Sequence, residues 1–134
     1  MTAFTPSGYI SKAETALSGA RLLLSAGDTD GACNRAYYAM FDAAHAALRA
    51  AGMELSDSPV KTHNGLTAMF GQHLVRTRML DAEHGGNLNR VQSLRLLADD
   101  SGDSVSVGDA VWSVEQAGAF VQAVKKKFAL GDRG

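Results

Sequence analysis

The sequence has a single cysteine, Cys33, and only two prolines in 134 residues. With one thiol there is no disulfide framework and no Cys-x-x-Cys metal knuckle, so a reducing compartment is expected and no structural metal is implied. Charge of one sign is also missing: 13 basic residues face 14 acidic ones, for a formal net charge of -1. That balance speaks against a protein whose whole surface clamps nucleic acid, while leaving room for a local basic patch. No run approaches the ~20 apolar residues of a membrane span. The start, from Met1 to Pro6, has neither the basic opening nor the apolar stretch of a secretory signal, so a cytoplasmic protein with no membrane partner is expected.

Strand alternation is absent as well, and what is present is helical period. Behind Pro6, with Ser7 as a candidate cap, Tyr9, Ala13, Leu17, Ala20 and Leu24 recur at helical spacing as far as Ala26. The Gly27 to Gly31 cluster reads as a turn, with Asp30 able to cap the next helix. That second helix, roughly Ala32 to Ala51, buries Tyr37, Phe41, Ala44 and Leu48, and its many alanines let a neighbouring helix approach closely. Gly52 ends it, and Met53 to Val60 forms a loop. A third helix is expected over Val60 to Arg76. A break near Asp81 to Gly86 precedes a fourth helix marked by Leu88, Val91 and Leu94 that ends by Asp99. A polar loop through Ser104 follows, then a last helix capped by Ser106 or Asp109, whose C-terminal Lys125-Lys126-Lys127 complements the helix dipole. The expectation is a single all-α domain over residues 1–134, an up-and-down bundle of four to five helices.

Several patterns carry chemistry. Arg35, Tyr38, Asp42, His45 and Arg49 step by 3, 4, 3, 4 and share one helical stripe. They present guanidinium, phenol, carboxylate and imidazole groups, the kit for phosphate binding and proton transfer, and also what the wet side of any amphipathic helix can show. Lys61 and His63 stand at the start of a helix, where free N–H groups can hold an anion, or where a histidine can simply tie a cap to its neighbours. Asp99, Asp100 and Asp103 lack the spacing of a calcium loop. Gly85-Gly86-Asn87 lacks the Lys-Ser/Thr of a phosphate loop, so no nucleotide cofactor is implied.

Asn34-Arg35-Ala36-Tyr37-Tyr38-Ala39-Met40-Phe41-Asp42, then Lys61-Thr62-His63-Asn64-Gly65, then Arg95-Leu96-Leu97-Ala98-Asp99, resembles the HEPN family (higher eukaryotes and prokaryotes nucleotide-binding domain), especially its small stand-alone prokaryotic members. The resemblance implies a HEPN-like helical bundle that forms a homodimer. It also implies a place in a toxin–antitoxin or defence-type system, often beside a nucleotidyltransferase-type partner protein. Many members are metal-independent endoribonucleases in which an Arg and a His, with four to six residues between them in the chain, meet across the dimer. There His takes the proton of the RNA 2′-OH and Arg stabilises charge at phosphorus.

Here the positions five to seven after Arg95 are Asp100, Ser101 and Gly102, with no histidine among them. Arg78 and His84 match the spacing, at the rate chance supplies. The family's aromatic helix frequently continues with His where Asp42 stands. Two functions follow from the resemblance. One is binding of a partner protein, RNA or a nucleotide through Arg35, Tyr38, Asp42, His45 and Lys61. The other is an RNA-cutting toxin with His63 or His84 as base and Arg78 or Arg95 as phosphate clamp.

Overall fold

In a computed structural model of the protein, residues 5–53 and 62–130 are described, apart from the side chains of Asp99 and Asp100. Lys61, Val60 and most of the expected Met53 to Val60 loop lie outside the described residues. Every regular element among those described is helical: α1 (Pro6–Ser25), α2 (Thr29–Ala50), α3 (His63–Phe70), α4 (Ala82–Ser101) and α5 (Val107–Phe128). The all-α bundle read from periodicity is therefore the fold.

Local chemistry sets the boundaries. Pro6 occupies the first helical position, where its missing N–H costs nothing, so the cap of α1 is Thr5 and not Ser7: Thr5 Oγ1 accepts from Gly8 N–H at 3.0 Å. Asp28 caps α2 through a 2.8 Å bond from Gly31 N–H. Asp30, the residue expected to cap, instead accepts from Val105 N–H at 2.7 Å and ties the α4–α5 connection to the start of α2. Thr62 caps α3 and Ser106 caps α5, each with a hydroxyl oxygen accepting from the N–H three residues on. Gly27 and Gly52 take positive φ, 86° and 92°, which lets α1 and α2 end in tight left-handed turns.

Two further boundaries differ from expectation. After Phe70 the third helix widens into a π-helical turn, Gly71–Val75, with Arg76 N–H donating to the Gly71 carbonyl at 2.9 Å. The fourth helix absorbs the expected break: it starts at Ala82 and carries Gly85 and Gly86 in its first turns, then runs on through Asp99 and Asp100 to Ser101. The Phe70 ring packs over Gly85, 3.8 Å from where a Cβ would stand, an ordinary contact distance.

The helices run up and down. Tyr9 meets His45, Lys12 faces Asp42 and Gly19 meets Arg35, so one number falls as the other rises and α1 lies antiparallel to α2. Glu14 pairs with Lys125 at 2.5 Å, and Asn87 Nδ2 donates to Gln116 Oε1 at 2.9 Å, holding α5 against α1 and α4 respectively. The lysine run thus does more than face the dipole.

At the centre is α2, which packs against all four other helices. Ala32, Ala36, Ala39, Ala43, Ala46 and Ala47 are fully buried. Small side chains all round a helix allow neighbours on several sides at once, so α2 is not the one-sided amphipathic helix that its sequence suggested. Phe70 and Phe120 stack at 5.4 Å between centroids and anchor α3 and α4 to α5. Cys33 is buried, its sulfur 3.7 Å from Ser113 Oγ, and burial pushes its thiol up in pKa, so it remains protonated and inert.

Candidate phosphate-binding site

The stripe Arg35, Tyr38, Asp42, His45, Arg49 does not survive as one wet ridge. His45 is only 6% exposed and stacks on Tyr9 of α1, with centroids 5.0 Å apart and planes at 13°. Arg49 covers the same tyrosine at 5.1 Å. The expectation that the His45 edge is left for an outside partner is corrected: the close approach of α1 turns that edge inward. Asp42 faces a groove between α1 and α2, and Arg35 and Tyr38 belong to a third grouping.

That grouping is the densest collection of chemistry among the described residues. The Tyr37 side chain is 2% exposed, yet its hydroxyl reaches His63 Nδ1 at 3.0 Å, and His63 Nε2 lies 2.8 Å from Asn89 Oδ1. With the amide oxygen of Asn89 as acceptor, Nε2 carries the imidazole proton, Nδ1 accepts, and Tyr37 O–H donates. Burial pushes Tyr37 up to about 12, with the Arg95 cation pulling the other way, so the phenol keeps its proton. The Arg95 guanidinium lies 4.9 Å from the Tyr37 ring and 5.5 Å from that of Tyr38, and Arg35 lies 5.5 Å from Tyr38. Arg95 Nε donates to Gln92 Oε1 at 3.0 Å, which fixes the fork.

Two like charges on one tyrosine repel, and aromatic faces offset that only in part. Among the described residues, no hydrogen bond reaches the Nη groups of Arg95 or any part of the Arg35 guanidinium. An anion placed between them would relieve the repulsion and take up the free donors. His63, by contrast, has both ring nitrogens engaged by Tyr37 and Asn89, so it ties α2, α3 and α4 together.

Of the residues named from sequence as catalytic, the structure joins His63 and Arg95 through Tyr37. It places the other two apart. Arg78 is exposed, in a turn at φ 65°. His84 packs edge-on to Phe120 at 5.6 Å and lines a groove with Asp81, Lys126 and Lys127. His84 and Arg95 are eleven residues apart on α4, about 16 Å along the axis. Tyr37 and Asn89 were not singled out as site residues. A buried tyrosine hydroxyl demands a partner, which was a usable signal for Tyr37; Asn89 carried none. No three His, Cys, Asp or Glu among the described residues come together as a metal-ligand group.

The sequence pattern of the HEPN domain family matches residues 7–127. The chain belongs to the HEPN domain family. A UPF0332 protein of Gloeobacter violaceus, glr0978, is 36% identical over 113 residues, 83% of this chain and 86% of the relative. Two proteins of Methanocaldococcus jannaschii are also similar. MJ0605, named "Putative toxin", is 31% identical over 114 residues, 85% of this chain and 81% of the relative. MJ0142, with the same name, is 29% identical over 118 residues, 87% and 77%. Among the described residues of this HEPN domain, no helix is long and apolar enough to cross a membrane.

The raised Tyr37 value has a sign that can be checked. A phenol held above its unfolded value of about 10 contributes stability that is present below pH 10 and is lost as pH rises toward 12. Between pH 10 and 11 the chain should lose about 1 kcal/mol that Tyr37→Phe does not lose. Denaturant titrations of both proteins at the two pH values measure this, and equal losses would mean that Tyr37 is not held as described.

Proposed function

We propose that this HEPN domain is the toxin-like module of a toxin–antitoxin or defence-type system and works as a homodimer by binding, with single-stranded RNA as its ligand. The observation that carries this reading is the pair Arg35 and Arg95, stacked on Tyr37 and Tyr38 with outward N–H groups unsatisfied among the described residues. Guanidinium forks suit phosphate oxygens, and the aromatic backing helps to hold them in place. The toxin names of the two Methanocaldococcus jannaschii relatives support the system assignment. A nucleotidyltransferase-type protein is the partner this reading expects beside it.

Metal-independent RNA cleavage by 2′-OH transesterification is the second reading, favoured by the meeting of His63 and Arg95 on Tyr37. It requires Nδ1 of His63 to exchange its bond with Tyr37 for one with the RNA 2′-OH, and that rearrangement weighs against it. The two readings separate in one experiment. Purified protein mixed with labelled single-stranded RNA in chelator is expected to shift the RNA and leave its length unchanged. Cutting that disappears in His63→Ala would replace binding with catalysis as the activity. Sedimentation at micromolar concentration is expected to give twice the 14.1 kDa chain mass.

A further inference from the structure

A groove of about 530 Å³ runs between α1 and α2, lined by Ser11, Lys12, Thr15, Ala16, Gly19, Arg35 and Asp42. Arg35 forms its boundary with the tyrosine cluster. Ala16 and Gly19 make that wall low: a Cβ on Gly19 would already stand 3.9 Å from Arg35 Cγ. Asp42 lies at the other end, seven residues from Arg35 on α2 and about 10 Å along the axis, the reach of a nucleotide from phosphate to base edge.

The Asp42 carboxylate is half-buried, and no hydrogen bond or ion pair among the described residues reaches it. Burial pushes it above the usual carboxylate range, against the pull of Lys12 and Arg35. A partly desolvated carboxylate without donors is unfavourable until something supplies them. Lys12, across the groove, is itself a donor. The Lys12 charge acts on Asp42 across the groove, so the two side chains offer one donor and a two-oxygen acceptor to the same ligand edge. The complementary ligand edge therefore shows an acceptor followed by two donors. Guanine presents that order, as O6, N1–H and the N2 amine. Adenine, cytosine and uracil do not.

We infer that this groove holds one unstacked guanine of the RNA, with Asp42 accepting from N1–H and the N2 amine, Lys12 donating to O6, and Arg35 holding the adjoining phosphate. This rests on the RNA reading above and adds a base preference to it. Guanine discrimination is read by fluorescence anisotropy on the full chain, using a short labelled uridine strand with one central guanosine, adenosine or inosine. The guanosine strand is expected to bind about tenfold or more tightly than the adenosine strand, with inosine, which lacks the N2 amine, in between. Asp42→Asn keeps the shape but removes one acceptor oxygen, and is expected to bring the guanosine-to-adenosine ratio below about threefold. Equal binding of the two strands by the unmodified protein would overturn the base preference while leaving RNA binding intact. So would an undiminished ratio in Asp42→Asn. Failure to bind any strand would remove the RNA reading and this inference together.

Discussion

Replacing Phe120 with alanine is expected to cost about 3–5 kcal/mol of unfolding free energy, against a total of roughly 5–15 kcal/mol for a domain of this kind. The ring is 1% exposed, stacks on Phe70 and carries His84 on its edge, so it is where α3, α4 and α5 meet. Its removal leaves a cavity that three backbones would have to close, and the Asn87 to Gln116 bond before Phe120 and the Glu14 to Lys125 pair after it resist that closure. Phe120→Leu keeps most of the volume and should cost less than about 1.5 kcal/mol. Urea denaturation of the two variants beside the parent protein checks both numbers. A loss under about 1 kcal/mol for the alanine variant would mean that α4 and α5 do not share this core.

The elements were legible from periodicity because most of them obey local rules. Ser106 before Val107, and the Gly-Asp cluster after Ala26, mark their boundaries in the chain itself. A proline at the first helical position points to the residue before it, Thr5, as the cap. Gly85 and Gly86 misled in the other direction. Propensity disfavours them in a helix, but the packing of α4 against α2 and α5 outweighs a cost of about 1 kcal/mol per glycine.

The site was legible only in pieces. The 3, 4, 3, 4 spacing correctly puts Arg35, Tyr38, Asp42 and His45 along one stripe of α2, but a stripe says nothing of which neighbour lies over each part of it. The register of α1 decided that, by laying Tyr9 on His45 and Lys12 opposite Asp42. The Tyr37–His63–Asn89 chain joins residues 26 positions apart at each step. No helical period reaches that far, so the contact that locks His63 exists only once α2, α3 and α4 are packed. His63 and Arg95 stand 32 positions apart in the chain, and packing supplies the tyrosine that links them.

Arg95→Ala is expected to weaken single-stranded RNA binding by about 10- to 100-fold at moderate salt, the largest functional loss of any single substitution proposed for this chain. This arginine acts as more than generic positive charge. Losing one phosphate contact should flatten the dependence of log affinity on log salt by about 0.7. Arg95→Lys keeps the charge but loses the flat fork over Tyr37 and Tyr38, so it should preserve most of the salt slope while recovering only part of the affinity. Arg90 supplies the control: it is also an arginine of α4 stacked on an aromatic ring, Trp112 at 5.3 Å, but five residues away and therefore on another face of the helix. Arg90→Ala removes the same charge and a similar cation–π contact, yet should change RNA affinity less than about threefold. Equal losses in the two variants would show that RNA responds to the overall charge of α4 and not to the cluster. A loss confined to Arg95 ties binding to the cluster in which Arg35 and Arg95 share Tyr38.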